Sequence, residues 1–330
     1  MTVREAKQAV ADAGRELLEE GLVARTWGNV SCRTGEKSFV ITPSGLAYDG
    51  MAAADVVEYD METGRWSGKR KPSSEKGIHA AAYARFPDAG FVIHTHQTYA
   101  SALGLAGFDP GQLPEGNRVA LGGVTLSGYG LPGTKRLRNN VAAALAAGNH
   151  TVLMTQHGAL IVGQDRQEAF LRARQLEELC RSLCRGQPEE AAGESAALAA
   201  LAERLGRDFP HLAYTAAPAV REVSRTSEGF RAQLDDMAQM IGPKLVVVPG
   251  EPGAAKQALR GHPAVLIAGL GAICRGDTEG DCAALRLLTE KSCISCLHTR
   301  ALGVSVSLSA LDAGLMRLVY QQKYSKKARG

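Results

Sequence analysis

The feature that most constrains the fold is segment 91–96 (Phe-Val-Ile-His-Thr-His), an apolar stretch ending in two histidines separated by one residue. Side chains alternate between the faces of an extended strand. His94 and His96 are therefore expected on one face, close enough to hold one cation, with Thr95 on the other. The apolar run predicts a buried strand whose C-terminal end faces a cleft. An isolated pair of this kind is also compatible with two hydrogen-bonded core histidines.

A third histidine has the same setting. His157 follows the apolar stretch 152–154 and directly precedes Gly158. Three neutral imidazoles form the ligand set of a catalytic zinc site, which leaves a coordination position open for water or substrate. The same donors accept Mn²⁺ or Co²⁺, so the sequence predicts a divalent metal, with Zn²⁺ as the first choice.

Two serines and a carboxylate mark the start of a helix predicted over 77–85. Ser73 and Ser74 at a helix N-terminus can bind a phosphate through hydroxyl and free N–H groups, or they can form a plain capping box. Glu75 can likewise be only a cap. Near a metal-bound substrate, however, a carboxylate is the group needed to move a proton to or from carbon.

Two earlier turns offer further anion donors. One contains Gly28 and Asn29, and the other contains Ser44 and Gly45 after a strand predicted over 38–42. Backbone N–H groups and hydroxyls in such turns can converge on one anion. The sequence therefore predicts several donor sets for a phosphorylated ligand.

Composition excludes several classes of protein. The 330 residues, 45% hydrophobic and 22% charged with a formal charge of +4, predict an ordinary globular protein with room for two domains. The positive residues are scattered, which argues against nucleic-acid binding, and the basic tail 323–329 is expected to be a solvated terminus. No apolar run reaches membrane-spanning length, and the N-terminus resembles an amphipathic helix rather than a signal peptide. Seven cysteines without framework spacing favour reduced thiols and a cytoplasmic location.

The remaining periodicity predicts an alternation of helices and strands. Segment 108–117 is expected to be loop and 119–126 a strand, and 186–190 has the composition of a linker. The other predicted helices are 3–20, 98–105, 135–147 and 166–184.

Five of these motifs, in this order and at these separations, resemble the class II aldolase/adducin family over about residues 3–185. The resemblance implies an α/β fold, a three-layer α/β/α sandwich with a central, largely antiparallel sheet. The motifs are Gly28-Asn29, Thr42-Pro43-Ser44-Gly45, Pro72-Ser73-Ser74-Glu75, His94-Thr95-His96 and Gln156-His157-Gly158.

The resemblance also implies a site. Zinc would be held by His94, His96 and His157, and Glu75 would be the catalytic acid/base that also visits the metal when substrate is absent. The implied reaction cleaves a small phosphorylated ketose, such as a deoxyketose 1-phosphate, into dihydroxyacetone phosphate and an aldehyde through a metal-stabilised enediolate. The implied phosphate-binding residues are Gly28, Asn29, Ser44, Gly45, Ser73 and Ser74.

Departures from the family pattern leave alternatives open. The aldolases carry a tyrosine, supplied across a subunit interface, where the loosely aligned residue here is Arg118. An epimerase, dehydratase or decarboxylase on the same scaffold therefore remains open, although epimerases typically have Asp at the position of Glu75. A non-catalytic, adducin-like interaction module is disfavoured because such members lose the metal histidines.

The second half of the chain echoes the first. Segment 151–160 is matched by 264–273, and each precedes a predicted long helix. We therefore expect a catalytic domain over 1–187 and a shortened, metal-free repeat over 188–330 with a structural role. In this repeat Leu270 takes the place of His157, and alanines take the places of the two strand histidines. Family members form four-fold rings, so the resemblance implies a homo-oligomer, with a dimer of tandem chains imitating such a ring.

Overall fold

A computed structural model describes residues 1–105, 107–189, 193, 195–226 and 228–323 of the protein. Residue 190 of the predicted linker and residues 324–329 of the basic tail lie outside these described residues. The chain divides into two compact units, one covering Met1–Ser182 and the other beginning at Leu183. The sequence prediction placed the boundary a few residues later, between 187 and 188.

The first unit is built on an eight-stranded sheet in the order β4-β3-β2-β1-β5-β8-β7-β6. Every neighbouring pair is antiparallel except β6 and β7, which are parallel. This confirms the predicted, largely antiparallel central sheet. The strands are β1 (Asn29–Gly35), β2 (Ser38–Ile41), β3 (Val57–Asp60), β4 (Trp66–Ser67), β5 (Phe91–Thr95), β6 (Val124–Ser127), β7 (Thr151–Met154) and β8 (Gly158–Gly163).

Six α-helices accompany this sheet in the described part of the first unit, and the five that the sequence predicted agree to within two residues. Short 3₁₀ turns lie at Ala53–Asp55 and Pro110–Gln112. The helices are α1 (Val3–Glu19), α2 (Lys76–Arg85), α3 (Thr98–Leu105), α4 (Glu115–Ala120), α5 (Lys135–Ala146) and α6 (Arg166–Leu183).

The sequence prediction was wrong around α4. Segment 108–117 is not all loop, and the strand predicted over 119–126 begins only at Val124. Val119 and Leu121 alternate as in a strand, but the Leu121 N–H closes the end of α4 on backbone carbonyls. Gly122 and Gly123 then adopt left-handed φ values of 65° and 80°, which turn the chain before β6 can start.

The layers follow from the alternation of side chains along the strands. On one face, Val92, Val152 and Leu160 pack in a single core cluster with Ile78 of α2 and Val141 of α5. The intervening strand residues are buried on the other face, where α1 and α3 contact the sheet. This confirms the three-layer arrangement. Among the described residues, no helix is long and apolar enough to cross a membrane.

The second unit contains a five-stranded sheet in the order β10-β11-β12-β13-β9. Its core includes Leu198, Leu259, Val265 and Ile273. A π-helical turn lies at Met237–Ile241. The strands are β9 (Leu212–Thr215), β10 (Gly229–Arg231), β11 (Lys244–Val248), β12 (Ala264–Ile267) and β13 (Gly271–Arg275), and the helices are α7 (Ala196–Leu205), α8 (Pro218–Thr226), α9 (Pro252–Gly261), α10 (Glu279–Ala301) and α11 (Ala310–Lys323).

Candidate metal and substrate site

The three predicted metal ligands meet at one end of the first sheet. His94 and His96 lie at the end of β5, and His157 lies in the turn between β7 and β8. Because β5 pairs with β8, with Thr95 opposite Ala159, the turn is brought beside the strand end. One donor atom from each buried imidazole lies within 4.8 Å of the others. The ring centroids are 4.8 to 4.9 Å apart, so the three rings surround one point.

Two backbone features allow this approach. Gln156 adopts a left-handed φ of 62°, which turns the chain sharply after β7. At Gly158, an added Cβ would lie 2.1 Å from the Thr95 carbonyl oxygen. Only glycine therefore lets the turn carry His157 this close to β5.

The hydrogen bond made by His94 determines its tautomer. His94 Nδ1 lies 2.9 Å from the Ala159 carbonyl oxygen, which only accepts, so Nδ1 carries the proton and the lone pair is on Nε2. This Nε2 atom lies 3.1 Å from Nε2 of His157. Two nitrogens bound tetrahedrally to one zinc at about 2.0 to 2.1 Å would be roughly 3.3 Å apart, so the observed spacing suits two ligands of one cation.

Glu75 completes the group of polar atoms around this point. Its Oε1 lies 3.1 Å from His157 Nε2, and its Oε2 lies 3.2 Å from His94 Nε2. Burial raises the pKa of the Glu75 carboxyl, but the neighbouring His94 and His157 outweigh burial and hold that pKa well below its usual range. The carboxylate is thus arranged to be ionised beside the metal ligands.

The alternative capping box does not form at this helix start, because the Ser73 hydroxyl accepts from the N-cap residue itself rather than from a residue in the first helical turn. Glu75 is the N-cap residue of α2, and its backbone N–H donates to Ser73 Oγ at 3.2 Å. The Glu75 side chain makes no capping hydrogen bond. A carboxylate directed away from the helix end and toward two imidazoles has a role other than capping.

The donor set fits a divalent metal. Oε1 of Glu75 is buried and makes no hydrogen bond to any described residue. Buried acceptors of this kind are costly unless a proton or cation satisfies them, and here imidazole nitrogens face the same space. His94, His96 and His157 are the residues that would hold the ion, with Glu75 beside it.

The first predicted phosphate turn lies directly against the predicted metal ligand His94 and against Glu75. Asn29 pairs with His94 in the β1–β5 ladder, and its Nδ2 donates to Glu75 Oε2 at 3.0 Å. Gly28 has a left-handed φ of 79°, and a Cβ there would lie 2.5 Å from the His94 carbonyl oxygen. Glycine is thus required where β1 begins.

The other phosphate turns are brought side by side by an isolated bridge between Pro43 and Pro72. The Ser44 N–H donates to the Lys71 carbonyl at 2.9 Å, and the Ser73 N–H donates to the Thr42 carbonyl at 3.1 Å. Ser73 is buried, Ser74 is exposed, and Ser44 and Gly45 are partly exposed. The two turns therefore share one surface next to the start of α2.

Sequence reasoning missed a polar chain behind Asn29. Ser31 Oγ lies 2.6 Å from His79 Nδ1 and 2.9 Å from the Tyr83 hydroxyl, and His79 Nε2 hydrogen-bonds to Asn29 Oδ1. Spacing could have revealed it. Asn29 and Ser31 share a face of β1, while His79 and Tyr83 follow Glu75 at four-residue intervals along α2.

Arg118 lies away from the histidines of its own chain. It is exposed on α4 and, with Glu115 and Asn149, lines a cavity of about 410 Å³ that also contacts Val124. Val124 pairs with Thr151 at the start of β7, whereas His157 follows the other end of that strand. Arg118 therefore does not reach this metal site within one chain.

Comparison with known proteins identifies relatives of the first unit. A sequence model described as Class II Aldolase and Adducin N-terminal domain matches residues 8–184. The L-ribulose-5-phosphate 4-epimerase UlaF of Salmonella paratyphi B is 35% identical over 187 residues, covering 53% of this chain and 82% of that protein. The UlaF protein of Salmonella typhi matches equally well.

Solved structures show the same fold in the first unit. An L-fuculose 1-phosphate aldolase is 32% identical, with a TM-score of 0.51, and the match covers 55% of this chain and 85% of the aldolase. YgbL of Klebsiella pneumoniae, described as a putative aldolase/epimerase/decarboxylase, is 26% identical with a TM-score of 0.52. That match covers 59% of this chain and 96% of YgbL.

Proposed function

Because the chain belongs to the class II aldolase and adducin N-terminal domain family, we propose that it is a metal-dependent carbon–carbon lyase. Its proposed substrate is a small phosphorylated ketose, such as a deoxyketose 1-phosphate, and its products are dihydroxyacetone phosphate and an aldehyde. The observation that carries the proposal is the Glu75 carboxylate, which lies 3.1 and 3.2 Å from the Nε2 atoms of His157 and His94. A carboxylate in that position can exchange a proton with a carbon next to the substrate carbonyl.

The ion proposed at the three histidines is Zn²⁺, one per chain, with Mn²⁺ or Co²⁺ as alternatives. When bound, a divalent cation supplies the Lewis acid that stabilises negative charge developing on the substrate oxygens. The C3–C4 bond breaks and leaves its electron pair on the three-carbon fragment. The C4 hydroxyl loses a proton as the aldehyde forms, and C3 of the three-carbon fragment gains one. Glu75 is the group proposed to deliver the proton to C3.

The phosphate is proposed to bind beside the start of α2. Support comes from the bridge between Pro43 and Pro72, which places two turns with hydroxyl and N–H donors next to each other. The positive end of the α2 dipole adds to this attraction. The proposed phosphate-binding residues are Gly28, Asn29, Ser44, Gly45, Ser73 and Ser74.

A 4-epimerase of a pentulose phosphate is the second candidate. It is favoured by the 35% identity to UlaF. Aldol cleavage followed by rejoining of the fragments would epimerise C4, so both candidates need the same metal ligands. Dehydration on the same scaffold and an adducin-like interaction module are the remaining alternatives.

The deciding experiment offers the zinc-loaded protein a panel of ketose 1-phosphates and, separately, L-ribulose 5-phosphate. Released dihydroxyacetone phosphate is followed by coupled NADH oxidation, and epimerisation by NMR of the sugar phosphate. We expect release that disappears with chelator and in His94→Ala. Epimerisation without release would replace the lyase by the epimerase, and neither reaction in metal-replete protein would refute both.

We further propose that residues 1–187 form the catalytic domain and 188–330 a shortened, metal-free repeat with a structural role. Strand pairing supports the repeat, because the order β6-β7-β8-β5 in the first sheet corresponds to the order β11-β12-β13-β9 in the second. In each sheet the first two of these strands are parallel, and the remaining neighbours are antiparallel. When Gly158 is aligned with Gly271, Leu270 corresponds to His157, as the sequence predicted. The residue that then corresponds to His94 is Tyr214, rather than the predicted alanine. Elemental analysis should find one metal per chain, and two would contradict the proposal.

The assembly and location remain proposals as well. A homo-oligomer is proposed, in its simplest form a dimer of tandem chains that imitates a four-fold ring. Light scattering at micromolar concentration should report more than one chain per particle, and a monomer would refute the idea. A cytoplasmic location is proposed because the seven cysteines lack the spacing of a disulfide framework.

A further inference from the structure

A continuous chain of buried side chains leads from the interior of the first unit to the carboxylate of Glu75. The Tyr83 hydroxyl lies 2.9 Å from Ser31 Oγ, which lies 2.6 Å from His79 Nδ1. His79 Nε2 hydrogen-bonds to Asn29 Oδ1, and Asn29 Nδ2 donates to Glu75 Oε2 at 3.0 Å. The side chains of Tyr83, Ser31, His79 and Asn29 are at most 3% exposed, so water does not compete for these hydrogen bonds.

The chemistry of the terminal group determines the direction of every bond. A carboxylate only accepts, so the Asn29 amide must turn its NH₂ group toward Glu75 and its Oδ1 toward His79. An amide oxygen also only accepts, so His79 must carry its proton on Nε2. His79 Nδ1 then accepts from the Ser31 hydroxyl, and Ser31 Oγ in turn accepts from the Tyr83 hydroxyl.

The burial of His79 suits a neutral, singly protonated ring. Burial lowers the pKa of His79 to about 3. A neutral imidazole has one donor and one acceptor nitrogen, and the two neighbours of His79 require one of each. Without His79, the Asn29 amide could rotate and direct its oxygen at the carboxylate.

We propose that His79 is a positioning residue that, held by Ser31 and Tyr83, keeps the Asn29 amide turned with its NH₂ group toward Glu75 and the substrate phosphate. The substrate part of this inference rests on the proposed function, because Asn29 is a proposed phosphate ligand. His79 acts entirely through Asn29 and touches neither the substrate nor the metal. Its effect should therefore vanish when the Asn29 amide is absent.

The first test reads the tautomer directly in the metal-free protein. Two-bond ¹H–¹⁵N NMR of histidine-labelled protein should show one imidazole in the Nε2–H form, unchanged from pH about 6 to about 8, where ordinary histidines titrate. The signal is assigned by its loss in His79→Gln. A proton on Nδ1, or a ring that titrates in this range, would overturn the proposal.

The second test is a double-mutant cycle on His79→Leu and Asn29→Ala, read by the affinity for inorganic phosphate and by kcat and KM. Each single change should weaken phosphate binding by about tenfold, the effect of a hydrogen bond to a charged group. The double variant should be no weaker than Asn29→Ala alone. Additive losses would mean that His79 acts only on general stability.

Two further variants separate positioning from packing. His79→Gln should recover most of the loss, because a glutamine can donate to Asn29 and accept from Ser31. The control is His150→Gln. His150 stacks on Phe86 at a centroid distance of 4.1 Å and is not one of the side chains hydrogen-bonded in series from Tyr83 to Glu75, so phosphate affinity should stay unchanged.

The outcomes also separate this proposal from the function it rests on. Coupling of His79 to Asn29 in a protein that converts no sugar phosphate would support the positioning role and refute the lyase. Lyase activity without coupling between His79 and Asn29, and without recovery in His79→Gln, would support the lyase and refute the positioning role.

Discussion

Gly158 offers the sharpest test of how backbone approach builds the metal site. A Cβ at this position would lie 2.1 Å from the Thr95 carbonyl oxygen, and the Gly158 φ is not in the left-handed region. The substitution Gly158→Ala therefore acts through the steric clash of its Cβ alone, without strain in the backbone dihedral angles. Close carbon–oxygen contacts in proteins are about 3.3 Å or longer, so β5 and the turn carrying His157 must separate by roughly 1 Å.

The size of the effect follows from that displacement. Overpacking of a well-packed interior costs about 1 to 3 kcal/mol, and each weakened ladder hydrogen bond adds about 0.5 to 1.5 kcal/mol. We therefore expect Gly158→Ala to lower the free energy of unfolding by about 2 to 4 kcal/mol. Metal–ligand distances tolerate deviations of only about 0.2 Å, so zinc affinity should fall by roughly tenfold or more.

The measurements are urea unfolding of the metal-free protein and a competition titration for zinc. Gly116→Ala is the matched control, because Gly116 lies within α4 and no atom lies within 4 Å of its added Cβ. That substitution should be neutral or slightly stabilising, since alanine favours a helix over glycine by about 1 kcal/mol. If Gly158→Ala unfolded like the control and kept its zinc affinity, the steric account of the site would be wrong.

Three further predictions concern other parts of the molecule. Glu75→Gln should keep its metal, checked by elemental analysis, while turnover falls by about 10² to 10⁴, the usual contribution of a general acid or base; surviving turnover would refute its role. Chelation should lower the melting temperature of the wild type, because an ion that binds only the folded state stabilises it, but should leave His94→Ala unchanged by calorimetry. In the second unit, Lys291 Nζ lies 2.7 Å from Asp236 Oδ2 in a buried ion pair. Lys291→Met should cost about 3 to 5 kcal/mol in denaturant unfolding because it removes the buried cation that pairs with Asp236, and most of that loss should be regained when Asp236→Asn is added.

The helix start at Glu75 shows where local patterns stop being informative. Serines followed by a carboxylate predict a helix N-terminus, and α2 does begin at Lys76. Whether the carboxylate caps the helix or faces a metal depends on what lies beside it, and those neighbours come from β5 and the β7–β8 turn. The same limit explains the error at 119–126, where apolar alternation suited a strand but the glycine pair Gly122 and Gly123 ended a helix.

The features that could be predicted from the amino-acid sequence were local ones. The period-two alternation of a strand placed His94 and His96 on one face. Apolar periodicity and residue preferences at helix ends located five of the six α-helices in the described part of the first unit to within two residues. Their grouping with His157 was predicted from its similar setting after an apolar stretch, and the family resemblance implied the same three ligands. The pairing register of β5 with β8, the inward direction of Glu75 and the approach of β1 to α2 that joins the polar side chains became evident only in the folded protein. Contacts between residues distant in sequence set these features, and each depends on sheet register and packing that no local pattern encodes.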